Sequence, residues 1–153
     1  MKTATSKIVI KSPREIGLMR DAGVVVHRVL SEVERRVRPG VTTRELNEIA
    51  EEIIGAAGGI ALFLGVENPQ ARFAFPASIC ASVNEEVVHG IPGDRELSEG
   101  DIISVDCGVR LKGYCADSAR TVAVGRLSAE VRRLMETTRE CLDIALEQMQ
   151  PGV

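Results

Sequence analysis

The stretch VDCGVRLKGYCAD, residues 105–117, decides the fold and also carries the chemistry. Two apolar, strand-like runs flank a weak turn signal, Leu-Lys-Gly, so the stretch predicts a β-hairpin. Each run holds one carboxylate, Asp106 and Asp117. If the turn is centred between Leu111 and Lys112, the two aspartates are direct cross-strand neighbours on one face, with Cβ atoms about 4.5–5.5 Å apart.

Two carboxylates at that distance repel each other and resist ionisation unless a cation lies between them. A divalent metal, or two metals about 3.5–4 Å apart, removes the conflict and lowers the pKa of a bound water. Carboxylate oxygens suit Mn, Fe, Co, Mg or Zn without fine discrimination. Two other interpretations stay open: the aspartates line the solvated face of an ordinary hairpin, or Asp117 pairs with the nearby Arg120.

The sequence around the hairpin predicts two helices before it and one after it, which is an α+β order. Each helix begins at a capping residue, and the first two complete a capping box with a glutamate three residues later. Apolar residues then recur at spacings of three and four, whereas residues 60–125 read as strands and loops. The caps are Ser12, Thr42 and Ser128, the stops are Pro39-Gly40, Gly58-Gly59 and Pro151-Gly152, and the expected buried residues include Ile16, Met19, Val26, Val29 and Val33, then Leu46, Ile49, Ala50 and Ile53, then Val131, Leu134 and Met149.

The composition is that of an ordinary globular domain. With 153 residues, 44% apolar and 27% charged content and a net charge of -3, the chain suits one domain with a sizeable core. The charges are interspersed, so we expect neither a nucleic-acid nor a membrane partner. No signal-peptide core and no membrane-spanning run is found, which favours a cytoplasmic protein. None of the cysteines forms a C-x-x-C motif, and all four are expected to be reduced, buried thiols: Cys80, Cys107, Cys115 and Cys141.

The stretch SVNEEVVHGIPGD, residues 82–94, places His89 at a strand-to-loop junction. A histidine there can donate to a substrate carbonyl or amide, act as a general acid, or bind a metal. The alternative is a core or edge histidine that the backbone satisfies. The other histidine, His27, lies inside the first expected helix and is interpreted as a surface residue. Glu85 and Glu86 are interpreted as solvated loop charges, because a strand points them to opposite sides.

A longer block around these motifs resembles a known family. FPASICASVNEEVVHGIPGDRELSEGDIISVDCGVRLKGYCADSARTVAVG, residues 75–125, is similar to the first half of the type I methionine aminopeptidases, metal-dependent enzymes of the pita-bread family. SPREIGLMRDAGVVV and PGVTTRELNEIAEEII resemble the opening helices of that family. Prolidases and aminopeptidase P share the D-x-G and G-Y-x-x-D hairpin, whereas SVNEEVVHGIP points to the methionine enzyme. The resemblance therefore implies the first half of the pita-bread fold.

The resemblance also implies roles for individual residues. Asp106 and Asp117 match two metal ligands, and the family uses two divalent ions, with Mn, Fe, Co and Zn as candidates. His89 matches a histidine that contacts substrate at the scissile amide and is not a ligand. Cys80 and Phe75 match positions in the pocket for the methionine side chain. The implied reaction is hydrolytic removal of the initiator methionine from new polypeptides.

The resemblance implies, in addition, that part of the family's site is absent from these 153 residues. One histidine and two glutamates that complete the metal set come from the family's second half. We therefore expect residues 1–11 to be a tail, residues 12–153 to be the N-terminal part of a truncated catalytic domain, and the chain alone to be inactive. Two alternatives are a half-domain that acts as a binding or dimerisation module, and an X-Pro peptidase of the same fold.

The expected partner is a peptide or nascent protein that begins with methionine. For a nascent protein, we expect the encounter to take place near the ribosome. We expect the full-length form to be a monomer. If an apolar face of its sheet would otherwise be exposed to water, the isolated half is expected to form a homodimer that buries this face.

Overall fold

The computed structural model describes residues 9–69 and 72–152, and the expected α+β order is confirmed there. The helices are α1 (Pro13–Arg36), α2 (Thr43–Ala56) and α3 (Ala129–Gln148). The strands are β1 (Ile60–Ala61), β2 (Ile79–Val83), β3 (Ile102–Leu111) and β4 (Tyr114–Ala123). In the part of the chain that the structure describes, no helix combines the length and the apolar character needed to cross a bilayer.

All three expected helix starts are confirmed. Ser12 and Thr42 each accept a hydrogen bond from the backbone amide three residues on, and the glutamate side chain there accepts one from the backbone amide of the capping residue, so both capping boxes are complete. Ser128 caps α3 by accepting from the Val131 amide. These local bonds satisfy amides that the first turn of a helix leaves without partners. The predicted tail lies mostly outside the described residues, so its boundary stays a prediction.

The four strands form one antiparallel sheet with β3 at its centre. Strand β4 pairs along the whole length of one edge of β3. The other edge of β3 pairs with β2 and, further along, with the short β1. Because successive side chains of a strand alternate between faces, β3 presents its odd-numbered residues to one side and its even-numbered residues to the other.

The odd-numbered side of β3 faces α1 and α2 and forms the core. Apolar side chains from both helices and from three strands lie in one cluster there, and most of them are fully buried. The second half of α1 is buried as expected, but Ile16 and Met19 are 49% and 39% exposed, so the expected burial of the first turns is wrong. In α2 the most buried isoleucine is Ile54 and not Ile49 or Ile53.

The third helix forms where it was expected but adds nothing to this core. None of its 20 residues is buried. Leu134 and Met149, which the helical spacing assigned to a buried face, are 60% and 78% exposed. Amphipathic spacing therefore predicted the helix correctly, whereas its packing depends on neighbours that the spacing does not specify.

Candidate active site

The β3–β4 hairpin has a different register from the one expected. Lys112 and Gly113 form its turn with φ values of 50° and 85°, and the last strand pair is Leu111 with Tyr114. Two successive positive φ angles match a type I′ hairpin turn, which favours glycine at the second position. The turn is therefore centred one residue later than predicted, between Lys112 and Gly113.

This register makes the aspartates diagonal neighbours. Asp106 pairs with Ala119, and Asp117 pairs with Gly108. The expectation of direct pairing is wrong by two residues. The expectation of a shared face survives, because a shift of two residues returns each side chain to the same side of the sheet.

Gly108 gives the Asp117 carboxylate its place. A Cβ atom at Gly108 would lie 2.9 Å from Asp117 Oδ2 and 3.1 Å from Phe63 Cε1. Contacts under 3.0 Å are not tolerated by a real Cβ, so any other residue would displace the carboxylate. The missing side chain opens the space through which Asp117 approaches Asp106 along the diagonal.

The electrostatics of the pair suit a cation. Asp106 Oδ1 is a buried oxygen without a hydrogen-bond partner. The pKa of Asp106 is raised, first by burial and then by the neighbouring Asp117 charge, while His89 and the Cys107 amide act in the opposite direction. Two carboxylates that crowd each other and leave a buried oxygen unpaired are a fitting donor set for a divalent metal.

The two carboxylates would supply only part of the coordination sphere of a metal. Among residues 9–69 and 72–152, no group of three or more His, Cys, Asp and Glu side chains is arranged to hold a metal. Divalent ions in proteins take four or more ligands. Asp106 and Asp117 therefore fit as two ligands of a larger set.

Cys80 and Asp106 are cross-strand neighbours, and their side chains form a row on the open face of the sheet. Cys80 lies on β2 directly opposite Asp106, and its side chain is 4% exposed. Burial and then the charges of Asp106 and Asp117 raise the pKa of its thiol to about 11. The group beside the carboxylates is thus a neutral, polarisable thiol at neutral pH, which suits apolar ligands with a thioether.

A cleft of about 510 Å³ opens beside this row. Phe63 and Phe75 meet edge to face in its wall, with ring centroids 6.5 Å apart and an interplanar angle of 86°. Four of the five predicted site residues line this cleft: Phe75, Cys80, His89 and Asp106. Asp117 adjoins it across Gly108. A second groove, of about 590 Å³ between α1 and α2, contains none of the predicted site residues.

One of the two competing interpretations of the hairpin, pairing of Asp117 with Arg120, is wrong, whereas Asp117 is exposed, as the solvated-face interpretation expects. Arg120 points to the helix side of β4, where it forms an ion pair with Glu34 of α1, so it does not pair with Asp117. All four cysteines are free. Cys80 and Cys107 are buried as expected, but Cys115 and Cys141 are exposed, contrary to the expectation.

The structure excludes one alternative for His89, while its role toward a substrate stays a prediction. His89 is exposed at the mouth of the cleft with a φ of 60°, so it is not a buried core histidine. His27 is exposed on α1, as predicted. Glu86 is more than a solvated loop charge, because it accepts from the Val83 amide and pairs with Arg95.

Four of the residues that shape the site were not singled out from the sequence: Phe63, Ser82, Gly90 and Gly108. The D-x-G spacing was a usable signal for Gly108, because a glycine in a strand often marks a close approach. Ser82 and Gly90 gave no such signal. Their role depends on a contact between residues eight positions apart, and only the folded chain creates it.

Comparisons with known proteins point to one family. Residues 17–153 match the sequence profile described as Metallopeptidase family M24. Methionine aminopeptidase 1 of Bacillus subtilis (strain 168) is 46% identical over 145 residues, which are 95% of this chain and 56% of that protein. The methionine aminopeptidase of Clostridium acetobutylicum is 48% identical over 146 residues, 95% of this chain and 56% of that protein. The chain thus spans about half the length of these relatives.

Solved structures give the same result for the fold. The methionine aminopeptidase of Thermotoga maritima superposes with a TM-score of 0.87 at 36% identity and covers 96% of this chain and 57% of its own. That of Rickettsia prowazekii has a TM-score of 0.81 at 34% identity and covers 88% and 52%. The prolidase of Pyrococcus horikoshii, at 0.79 and 21% identity, shares the fold alone. The expected α+β pita-bread arrangement is therefore confirmed for these residues.

Proposed function

The chain belongs to metallopeptidase family M24, and from this premise we propose that it provides part of the active site of a methionine aminopeptidase. Its proposed contribution is two metal ligands, a substrate-contacting histidine and a pocket for the methionine side chain. The relatives above 30% identity described above bear the name methionine aminopeptidase, which supports this substrate over X-Pro peptides.

The observation that carries the proposal is the buried, unpartnered Oδ1 of Asp106, with Asp117 beside it over Gly108. We assign these two carboxylates as ligands of a pair of divalent ions, with Mn, Fe, Co and Zn as candidates. When bound, the ions would supply Lewis acidity, which polarises a peptide carbonyl and makes a water a usable nucleophile at neutral pH.

The chain's own residues bind and orient the substrate. His89, at the mouth of the cleft, donates a hydrogen bond to the scissile amide group. The aromatic pair Phe63 and Phe75, together with the neutral thiol of Cys80, surrounds the methionine side chain and excludes water from it. In the proposed complex, the first peptide bond of the substrate lies next to the carboxylate pair.

We further propose that the 153-residue chain needs ligands beyond its own for turnover. Two carboxylates leave most positions of a divalent ion without protein donors, and the described residues offer no third ligand. We also propose that the natural substrate is a peptide or nascent protein beginning with Met, encountered in the cytoplasm.

A chimera tests the proposal. The chain is joined to the part of the Bacillus subtilis enzyme that it does not match, and release of free methionine from Met-Gly-Met is measured with each candidate metal. We expect metal-dependent release by the chimera and little or none by the 153-residue chain alone. Asp106→Asn and Asp117→Asn in the chimera should each reduce the rate at least a hundredfold.

The controls separate the remaining possibilities. A Leu-Gly-Met peptide should stay intact, and an Ala-Pro peptide should be cleaved only if the X-Pro alternative is right. Robust turnover by the short chain would show that no further ligands are needed. Full activity of the Asp106→Asn chimera would remove the carboxylate pair from the proposed metal centre.

A further inference from the structure

The loop that carries His89 is held by its neighbours on both sides. At its start, the Val83 amide donates to Glu86 Oε2 over 2.8 Å, and Arg95 holds the other oxygen of Glu86. At its end, Gly90 lies against the free edge of β2. His89 stands between these two anchored points.

The backbone of His89 adopts an unfavourable conformation. Its φ of 60° lies in the left-handed region, which costs a residue with a Cβ about 1 kcal/mol or more. Such a conformation persists only when the surroundings determine it. The contacts of the next residue, Gly90, are therefore the relevant ones.

Gly90 is bound to β2 by two hydrogen bonds. Its carbonyl accepts from the Ala81 amide at 2.9 Å, and its own amide donates to Ser82 Oγ at 3.0 Å. The approach is so close that a Cβ on Gly90 would lie 2.3 Å from the Ala81 carbonyl oxygen. One of the two bonds depends on a side chain, and that side chain is Ser82.

Ser82 is buried, with 4% of its surface exposed, and it lies on β2 two residues after Cys80 on the same face of the sheet. Nothing in the sequence motifs required a hydroxyl there. We propose that Ser82 is a positioning residue that fixes His89 over the carboxylate pair through the Gly90 amide. The functional consequence rests on the role proposed for His89, whereas the positioning itself does not.

The chain contains a matched control for this serine. Ser104 is the direct cross-strand partner of Ser82 on β3, and its hydroxyl bonds to Thr121 at 2.9 Å and not to the loop. Changing either serine to alanine therefore removes one hydroxyl hydrogen bond on the same face of the sheet. Only Ser82→Ala removes the acceptor of Gly90.

The test is NMR relaxation and amide hydrogen exchange on the metal-free 153-residue chain. In Ser82→Ala we expect the order parameters of His89 and Gly90 to fall from about 0.85 toward 0.6. The protection of the Gly90 amide should fall about tenfold. Ser104→Ala should leave both values unchanged, and Ser82→Thr, which keeps the hydroxyl, should restore them.

The result that overturns the proposal is equally specific. Unchanged order at His89 in Ser82→Ala, or the same loss in Ser104→Ala, would show that Ser82 does not position the loop. If Ser82→Ala does not fold, Ser82→Cys keeps the volume with a much weaker acceptor and gives the same comparison. None of these measurements involves metal or peptide, so their outcome is independent of the peptidase assay.

Discussion

The two faces of strand β3 differ in almost every physical respect. Toward the helices, Ile103, Val105 and Val109 are fully buried in the apolar cluster. Toward the open side, the alternating positions carry Asp106 and Gly108, with a buried oxygen that has no partner. One strand therefore supplies stability with one face and presents Asp106, a proposed metal ligand, on the other.

The comparison shows how the chain tolerates an unfavourable site. Crowded carboxylates and a left-handed histidine both cost free energy in the metal-free protein. The dry, well-packed face of the same strand offsets these costs because it removes apolar surface from water. The two faces should consequently respond to mutation in different ways.

The largest difference is expected for the neighbours Ile103 and Ile102, which point to opposite faces. Ile103→Ala should lower the free energy of unfolding by about 2–5 kcal/mol, since it leaves a cavity in the core. Ile102→Ala, half-buried on the open side, should cost about 1 kcal/mol or less. Urea denaturation measures both, and equal losses would contradict the division between the faces.

The rate of thiol modification should also differ strongly between the buried and the exposed cysteines. Burial raises the pKa of Cys80 to about 11 and that of Cys107 to about 12. At pH 8 only about one Cys80 thiol in a thousand is then ionised. With an aromatic disulfide reagent, the exposed Cys115 and Cys141 should react first and the buried pair far more slowly. Four equally fast thiols would disagree with the burial of Cys80 and Cys107.

Gly108→Ala should weaken metal binding with little effect on the core. The new Cβ displaces the Asp117 carboxylate, and we expect about a tenfold loss of Mn²⁺ affinity in calorimetric titration of the chain. Gly17→Ala in α1 is the control, because a Cβ there meets nothing within 4 Å. It should leave metal affinity unchanged and stabilise the helix by about 0.5–1 kcal/mol. Unaltered affinity in Gly108→Ala would rule out the steric argument.

The smallest effect concerns pH. Because the pKa of Asp106 is raised in the folded protein, the stability that its proton contributes is complete below about pH 4 and is lost as the pH rises through the raised value. Without metal, Asp106→Asn should therefore be more stable than the parent at pH 7 and similar to it at pH 4. Denaturation in EDTA at both pH values checks this prediction. If Asp106→Asn is less stable than the parent at pH 7, the pKa of Asp106 is not raised in the folded protein.

The hairpin illustrates how far the sequence could be interpreted. Alternation along each strand is local, and every two-residue turn keeps Asp106 and Asp117 on the same face, so their shared face was predictable once a hairpin of that kind was expected. The register of the hairpin was not predictable, because it depends on which two residues adopt positive φ angles. In the structure these residues are Lys112 and Gly113. A one-residue shift of the turn moves the aspartates from direct to diagonal neighbours.

Burial of the helices shows a similar limit. The capping boxes at Ser12 and Thr42 were predictable since a cap involves only four consecutive residues. The exposure of Ile16 and Met19 was not, because an apolar periodicity identifies a face and leaves open where along the helix its neighbours end. Helix α3 is the extreme case, with a regular pattern and no buried residue.

The sequence by itself determined the helix starts, the hairpin, the two carboxylates on one face and the resemblance to the family. Each of these depends on the chemistry of a few consecutive residues or on a period of two. Only the tertiary structure decided that Gly108 makes room for Asp117, that Cys80 faces Asp106 and that Ser82 binds the Gly90 amide. These contacts join segments brought together by burial of the common core, and their geometry exists only after that burial has set the distance between strands.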